Sequence, residues 1–385
     1  MPTDSSGLPR CEKDMRLVTI ESCAPGMKLG KAVLTEHGQV LLGYGYELTQ
    51  PVILRLRNMG IHQLYIDDPR TDDIIVEETI REETRRLVHG SLQQCMDYVR
   101  AGGPAGGGRV VTFSRLVSDS VKHIVDDIVA NRNMPIVHIR ATAATGDKLE
   151  HHFVNNALNV SVFATKLAMA EGAAADELRT VCAAALFHDI GKLLVPQELL
   201  SKRTRLSDED LRTLRRHAEL GYRLLKDDGS VSLVAAQCAL QHHERVDGLG
   251  YPFGLRGNAI HPYAKLIGMI DAYDALVSHR SYRNAMLPHE AMDYLYANVE
   301  SAYDRGKVEQ FRNKVAIFPP GTTVTLNTGE KGVVSRLDSS CLQRPTIRVL
   351  TNPNGEELKI PYELQLAKHL NIMIRSVGDI RSYAG

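Results

Sequence analysis

The sequence predicts a mainly α protein, with a helical middle domain preceded by a small α+β domain and followed by a small β-rich C-terminal unit. Three observations carry this. Residues 148–316 are dominated by helix formers with apolar positions recurring at three and four residues. Residues 1–76 mix brief extended runs with one short helix, and residues 317–385 turn rich in β-branched residues and turn signals. At 385 residues the chain has room for two or three domains, since one domain usually takes about 100–200 residues.

In chain order, the segment from Leu17 to Asp68 reads as a compact α+β domain. Its apolar stretches Ala32–Leu34 and Val40–Leu42 are split by the turn pair His37-Gly38, which is a hairpin pattern. Thr49 ahead of Pro51 opens a short helix with an apolar face at Val52, Ile53, Leu56 and Met59, closed by Gly60, and Leu64–Ile66 is a strand. Residues 77–147 read as a helical linker with a Gly-rich break at Ala101–Gly108. The helix from Ser114 carries Leu116, Val117, Val121, Ile124, Val125, Ile128 and Val129 on one stripe, which reads either as core or as the seam of a homodimer. Past the helical domain, Val324–Leu326, Gly332–Val334 and Thr346–Leu350 are β-rich, with turns at Asn327–Gly329 and Asn352–Gly355. No chemistry-bearing cluster falls in either flanking unit.

Composition narrows the function classes. Apolar residues at 43% and charged residues at 24% describe a folding globular chain. Lys plus Arg and Asp plus Glu are 46 each, so no global positive field exists to hold a nucleic acid polymer or an anionic membrane. Any phosphate ligand must be held locally. The six cysteines are scattered with no CxxC pair, and no apolar run approaches the roughly 20 residues of a membrane span. A cytoplasmic location is the expectation.

The chemistry concentrates in the helical domain. The pair His188-Asp189 follows the apolar stretch from Val181 to Phe187 and precedes Ile190-Gly191-Lys192. A carboxylate can bridge two cations while the adjacent imidazole supplies a nitrogen, so such a pair can anchor a two-metal site. In isolation it reads more readily as a histidine at the negative end of a helix, and the ligands that accompany it reverse that reading. Other ligands are on offer at His217, His242-His243 and Asp271. His242-His243-Glu244-Arg245 runs into Asp247-Gly248-Leu249-Gly250-Tyr251-Pro252, a glycine-punctuated loop able to approach a ligand closely.

Through His188-Asp189-Ile190-Gly191-Lys192 and the run from His242 to Pro252, the chain closely resembles the HD-GYP family, a branch of the HD phosphohydrolases. The resemblance covers roughly Leu149 to Phe311, and the N-terminal domain is similar to one often found ahead of HD-GYP domains. It implies an HD-domain helical bundle and a phosphodiesterase acting on cyclic di-GMP with two divalent ions, iron or manganese. It further implies that His188, Asp189 and Asp271 hold the first metal, that Asp189, His217, His242 and His243 hold the second, and that Lys192 faces the scissile phosphate. Arg280 and Arg283 would hold guanine or phosphate groups, and Arg245, Asp247, Gly250 and Tyr251 would line the substrate site. Signalling proteins are the implied partners besides the nucleotide.

The chain departs from the family at one ligand. A histidine expected in a His-Ser-x-x-Val helix ahead of the HD pair falls on Asn156-Ala157-Leu158-Asn159-Val160. One turn earlier, at a position where trinuclear members place a glutamate, stands His152, four residues away and so on the same helix face. Asn156 and His152 are therefore carried as further candidate metal ligands. Two rival expectations follow: a cyclic di-GMP-binding or partner-binding sensor without hydrolysis, and an HD phosphohydrolase acting on another nucleotide.

Overall fold

The structure is a computed structural model that describes residues 15–34, 40–61, 63–76, 79–103, 112–137, 148–202, 204–278, 286–338 and 340–378. The chain divides into two compact units, one holding the described residues 15–76 and 315–378, the other holding 79–137 and 149–314.

The first unit opens with β1 (Met15–Thr19), β2 (Val33–Leu34), β3 (Val40–Leu42), α1 (Gln50–Asn58) and β4 (Gln63–Asp67). β1 and β4 pair antiparallel from Met15 opposite Asp67 to Thr19 opposite Gln63, and β2 pairs antiparallel with β3. The His37-Gly38 turn lies outside the described residues. α1 starts behind Thr49 with Pro51 in its first turn, where a missing N–H costs nothing. It is followed by Gly60 at φ +81°, a conformation that favours glycine. Val18, Ile20, Leu29, Ile53, Leu56, Leu64 and Ile66 form the core between them.

The same unit contains β5 (Thr323–Leu326), β6 (Lys331–Arg336), β7 (Thr346–Thr351), β8 (Glu357–Gln365) and β9 (Ile374–Val377). They form one antiparallel sheet in the order β8-β7-β6-β5-β9. The last two strands go beyond those read from the sequence. The chain's two ends are joined: Leu17 N donates to Gly321 O at 2.7 Å, and Thr323 Oγ1 donates to Leu17 O at 2.8 Å. Arg348 adds an ion-paired bridge to Asp73 and Glu363.

The second unit is helical: α2 (Glu82–Arg100), α3 (Phe113–Ala130), α4 (Lys148–Ala170), α5 (Ala175–Phe187), α6 (Gln197–Leu200), α7 (Asp208–Arg215), α8 (His217–Asp228), α9 (Leu233–Gln241), α10 (Pro262–Val277), α11 (Pro288–Ala297) and α12 (Arg305–Lys314). The expected glycine break falls largely outside the described residues. The stripe on α3 is core: Val117, Val121, Ile124, Val125 and Ile128 are buried. Phe113 meets Phe187 of α5 edge-on with centroids 5.4 Å apart, and the buried Asp127 carboxylate accepts from Thr84 Oγ1 on α2 at 2.7 Å. Val129 alone of the stripe is strongly exposed, at 47%.

Two glycines set how closely the elements around the His-Asp pair pack. A Cβ on Gly191 would lie 2.0 Å from His217 O, and one on Gly268 would lie 2.0 Å from His242 O. The turn after α5 therefore sits flush on α8, and α10 sits flush on α9. Among the described residues no helix is long and apolar enough to cross a membrane.

Candidate metal centre

Helix ends deliver most of the polar residues to one buried place. His188 and Asp189 follow the last turn of α5, His217 begins α8, His242 and His243 follow α9, and Asp271 projects from the middle of α10. Three of the imidazoles are turned by backbone carbonyls. His188 Nδ1 bonds Ala185 O at 2.7 Å, His217 Nδ1 bonds Leu214 O at 2.7 Å, and His242 Nδ1 bonds Ala239 O at 3.0 Å. A carbonyl only accepts, so each Nδ1 carries a proton, and in the neutral ring Nε2 keeps its lone pair.

Those Nε2 atoms converge on carboxylate oxygens. Asp189 Oδ1 lies 3.3 Å from His217 Nε2 and 3.5 Å from His242 Nε2, while Oδ2 lies 3.5 Å from His188 Nε2. Asp271 Oδ1 is 3.6 Å from His188 Nε2, and His243 Nε2 is 3.1 Å from His217 Nε2. Two groups of potential ligand atoms result, Asp189 with His217, His242 and His243, and His188 with Asp189 and Asp271, each within 4.8 Å of one another. Asp189 belongs to both.

Three of these buried atoms, His188 Nε2, Asp189 Oδ1 and His242 Nε2, have no hydrogen-bond partner. Leaving one such group unsatisfied costs about 1–3 kcal/mol, and three acceptors facing one another suit a cation. This donor set, with imidazoles oriented by carbonyls behind them, fits a His/Asp site for divalent metal.

The protonation states agree. Burial alone would raise Asp189, but Lys192 and His188 hold its carboxyl well below the usual range. Asp271 is likewise pushed up by burial and pulled down further by the neighbouring His188. Burial lowers His217 to about 4, helped by Lys192, and drives His243 well below its ordinary value, helped by His242. For His188, burial is outweighed by Asp189 and Asp271, so it is raised. Two ionised carboxylates thus face neutral His217 and His243 near pH 7.

Lys192 forms an ion pair with Asp189 while its side chain stays 30% exposed. Tyr251 stacks on His243 with centroids 4.7 Å apart, and the Arg215 guanidinium lies 5.1 Å from the Tyr251 ring centroid. The loop carrying Tyr251 is pinned from within. The buried Glu244 carboxylate accepts from Phe253 N at 2.8 Å and Leu255 N at 2.9 Å, and Tyr251 N donates to His243 O at 3.2 Å. Gly250 is forced by packing, because a Cβ there would lie 2.4 Å from Arg245 N. Arg245 and Asp247, expected to line the substrate site, make a two-pronged ion pair with each other, and Asp247 Oδ1 also accepts from Leu249 N at 2.9 Å. Arg280 and Arg283 lie outside the described residues.

Asn156 differs from the ligand expected at its position. Its Nδ2 donates to Asp271 Oδ1 at 3.0 Å and to Asp274 Oδ2 at 2.9 Å. Both partners are carboxylates and can only accept when ionised, so it is the amide nitrogen, a donor and not a ligand, that faces them. His152 is exposed and belongs to neither group of ligand atoms. The sequence reading gave no role to Asp274, Glu244 or Arg215. The signal for Asp274 was its position three residues after Asp271, on the same face of α10.

Comparison with known families agrees with this geometry. Residues 127–306 match the model of the HD domain, and within them lie the His188-Asp189 pair and the loop ending in Gly250-Tyr251-Pro252. This stretch is similar to the HD domain family. Residues 323–385 match a KOW domain associated with HD domains. The chain is similar to a cyclic di-GMP phosphodiesterase of Pseudomonas aeruginosa, 36% identical over 183 residues, covering 48% of this chain and 43% of that one. A cyclic di-GMP phosphodiesterase response regulator of Xanthomonas campestris is 39% identical over 134 residues, covering 34% and 35%. A 3'3'-cGAMP-specific phosphodiesterase of Vibrio cholerae is 39% identical over 111 residues, covering 29% and 25%. The chain thus spans less than half the length of each of these relatives.

Proposed function

We propose that this chain is a metal-dependent phosphodiesterase that hydrolyses cyclic di-GMP to pGpG and onward to GMP. The observation that carries the reading is Asp189, one carboxylate shared by two groups of ligand atoms, with unpartnered acceptors on both sides. Similarity to named cyclic di-GMP phosphodiesterases supports the substrate. Asp189, His217, His242 and His243 would hold one divalent ion, and His188, Asp189 and Asp271 the other, with iron and manganese the candidate metals. Such ions, when bound, lower the pKa of water to near neutrality and neutralise charge on phosphate oxygens.

The protein's own groups do the rest. Lys192, beside Asp189 and partly exposed, would pair with a phosphate oxygen and donate a proton to the departing ribose oxygen. Tyr251, stacked on His243 and held by the Glu244-pinned loop, would form a wall that fixes the nucleotide's approach. Arg280 and Arg283 would hold guanine or phosphate through their planar, two-pronged donors. The five described cysteines are all unpaired, which supports a cytoplasmic location.

The test is turnover. Protein reconstituted with manganese or iron should convert cyclic di-GMP to pGpG, and chelated protein should not. No turnover with either metal would remove the proposal. Asn156 in place of a ligand favours a second reading, a sensor that binds cyclic di-GMP without cleaving it, and binding by calorimetry with no product would establish it. Parallel assays with 3'3'-cGAMP separate the substrates.

A further inference from the structure

The two groups of ligand atoms that meet at Asp189 are chemically unlike. One consists of three imidazoles and a carboxylate, the other of one imidazole and two carboxylates. Imidazole-rich sets suit zinc, iron and nickel, whereas carboxylate and water sets suit manganese and magnesium. A fourth side chain sharpens the difference. On the oxygen-rich side Asn156 contributes an N–H to Asp271 and a second contact to Asp274, and its amide nitrogen has no lone pair to give a cation.

That contact has a physical consequence. Asp271 and Asp274 stand one turn apart on α10, both buried at 8% and 4% exposure. The Asn156 amide spans these two carboxylates and ties Asp271 to its neighbour on the helix. The Asp271 oxygen that Asn156 holds at 3.0 Å, Oδ1, is the same one that lies 3.6 Å from His188 Nε2, so the amide fixes the very atom that faces the ligand group. A hydrogen bond to a metal-binding carboxylate from such a supporting residue commonly changes metal affinity by about 10–100-fold.

Building on the two-ion reading above, we propose that the centre is asymmetric. The half formed by His217, His242, His243 and Asp189 takes a nitrogen-preferring ion tightly. The half formed by His188, Asp189 and Asp271 takes a harder, oxygen-preferring ion more weakly, and Asn156 is its positioning residue rather than its ligand. The centre is therefore suited to hold two different metals at once, zinc or ferrous iron on the imidazole side and manganese on the carboxylate side.

Binding measurements on the full chain decide this without any assay of turnover. Metal-free protein is loaded with one equivalent of zinc and titrated with manganese, read by the manganese paramagnetic resonance signal and by elemental mass spectrometry. The expected result is one zinc surviving gel filtration and one manganese binding at least about tenfold more weakly. Asn156→Ala should weaken the manganese about 10–100-fold and leave the zinc in place, the retained zinc reporting an intact fold. Asn156→His, which restores an imidazole on the same helix face, should let a second zinc displace the manganese. Two ions of equal affinity in the native chain, or an Asn156→Ala protein with unchanged manganese affinity, would overturn the asymmetry while leaving the two-ion reading standing. A native chain that binds no ion would overturn both.

Discussion

On the α8–α9 side of the centre, three imidazoles close on Asp189; on the α4–α10 side, one imidazole and two carboxylates are knitted to an asparagine and a further aspartate. The first side is made by the His242-His243 pair and a single histidine at a helix start closing on Asp189, with two glycines letting the helices touch. The second is made by tertiary neighbours 115 and 118 residues apart in sequence. The contrast shows that one group of potential ligands can be set by motif while the other is set by packing.

The largest expected effect is at the residue common to both sides. Asp189→Ala should lower hydrolysis by about 1,000-fold or more and empty both halves, measured as rate and metal content on the same sample. If only one ion leaves, the two halves are more independent than the shared carboxylate implies. Next, His242→Ala and Asp271→Ala should separate the sides. The first should release the tightly held ion and the second only the weak one, each with a rate loss of about 100-fold, and equal losses of both ions from either variant would erase the distinction.

Lys192→Ala should lower kcat by about 100-fold with both ions retained, since the lysine touches the carboxylate and the solvent side rather than offering a lone pair. A drop in metal content instead would make it a partner of Asp189 and nothing more.

Legibility in the sequence followed the same division. The His188-Asp189 and His242-His243 pairs could be read because their spacing and the glycine loop are local, and the helical middle could be read from its periodicity. The donor role of Asn156 could not, because it depends on α4 packing against α10, which brings Asn156 to Asp271 and Asp274 from 115 and 118 residues away. Glu244 stood inside a quoted motif, yet its two bonds to Phe253 N and Leu255 N exist only once the loop has folded back. In the first unit, β8 was missed because its exposed Ile360 and Tyr362 blur the apolar alternation of a half-buried strand. The joining of β1 to the chain's far end, through Leu17 and Gly321, pairs backbone atoms about 300 residues apart and leaves no trace in either segment alone.

The smallest expected effect lies in that first unit and concerns pH. Burial would raise Asp68, but hydrogen bonds from Arg70 and the charge of Arg16 hold it at about 2, below the ordinary 3.8. A depressed carboxylate contributes stability that is complete above its unfolded pKa and is lost as pH falls from about 4 through 2. The melting-temperature difference between the native chain and Asp68→Asn should therefore shrink over that interval. A difference that stays constant would show that the ion pairs contribute nothing, as many partly exposed pairs do.

The most direct test of the two-ion centre is the rate of cyclic di-GMP hydrolysis followed as metal is added to metal-free protein, with ions per chain counted at each point. The rate should stay near zero up to one ion per chain and rise to its maximum as the second half fills. Full activity at one ion, or none at two, would contradict it.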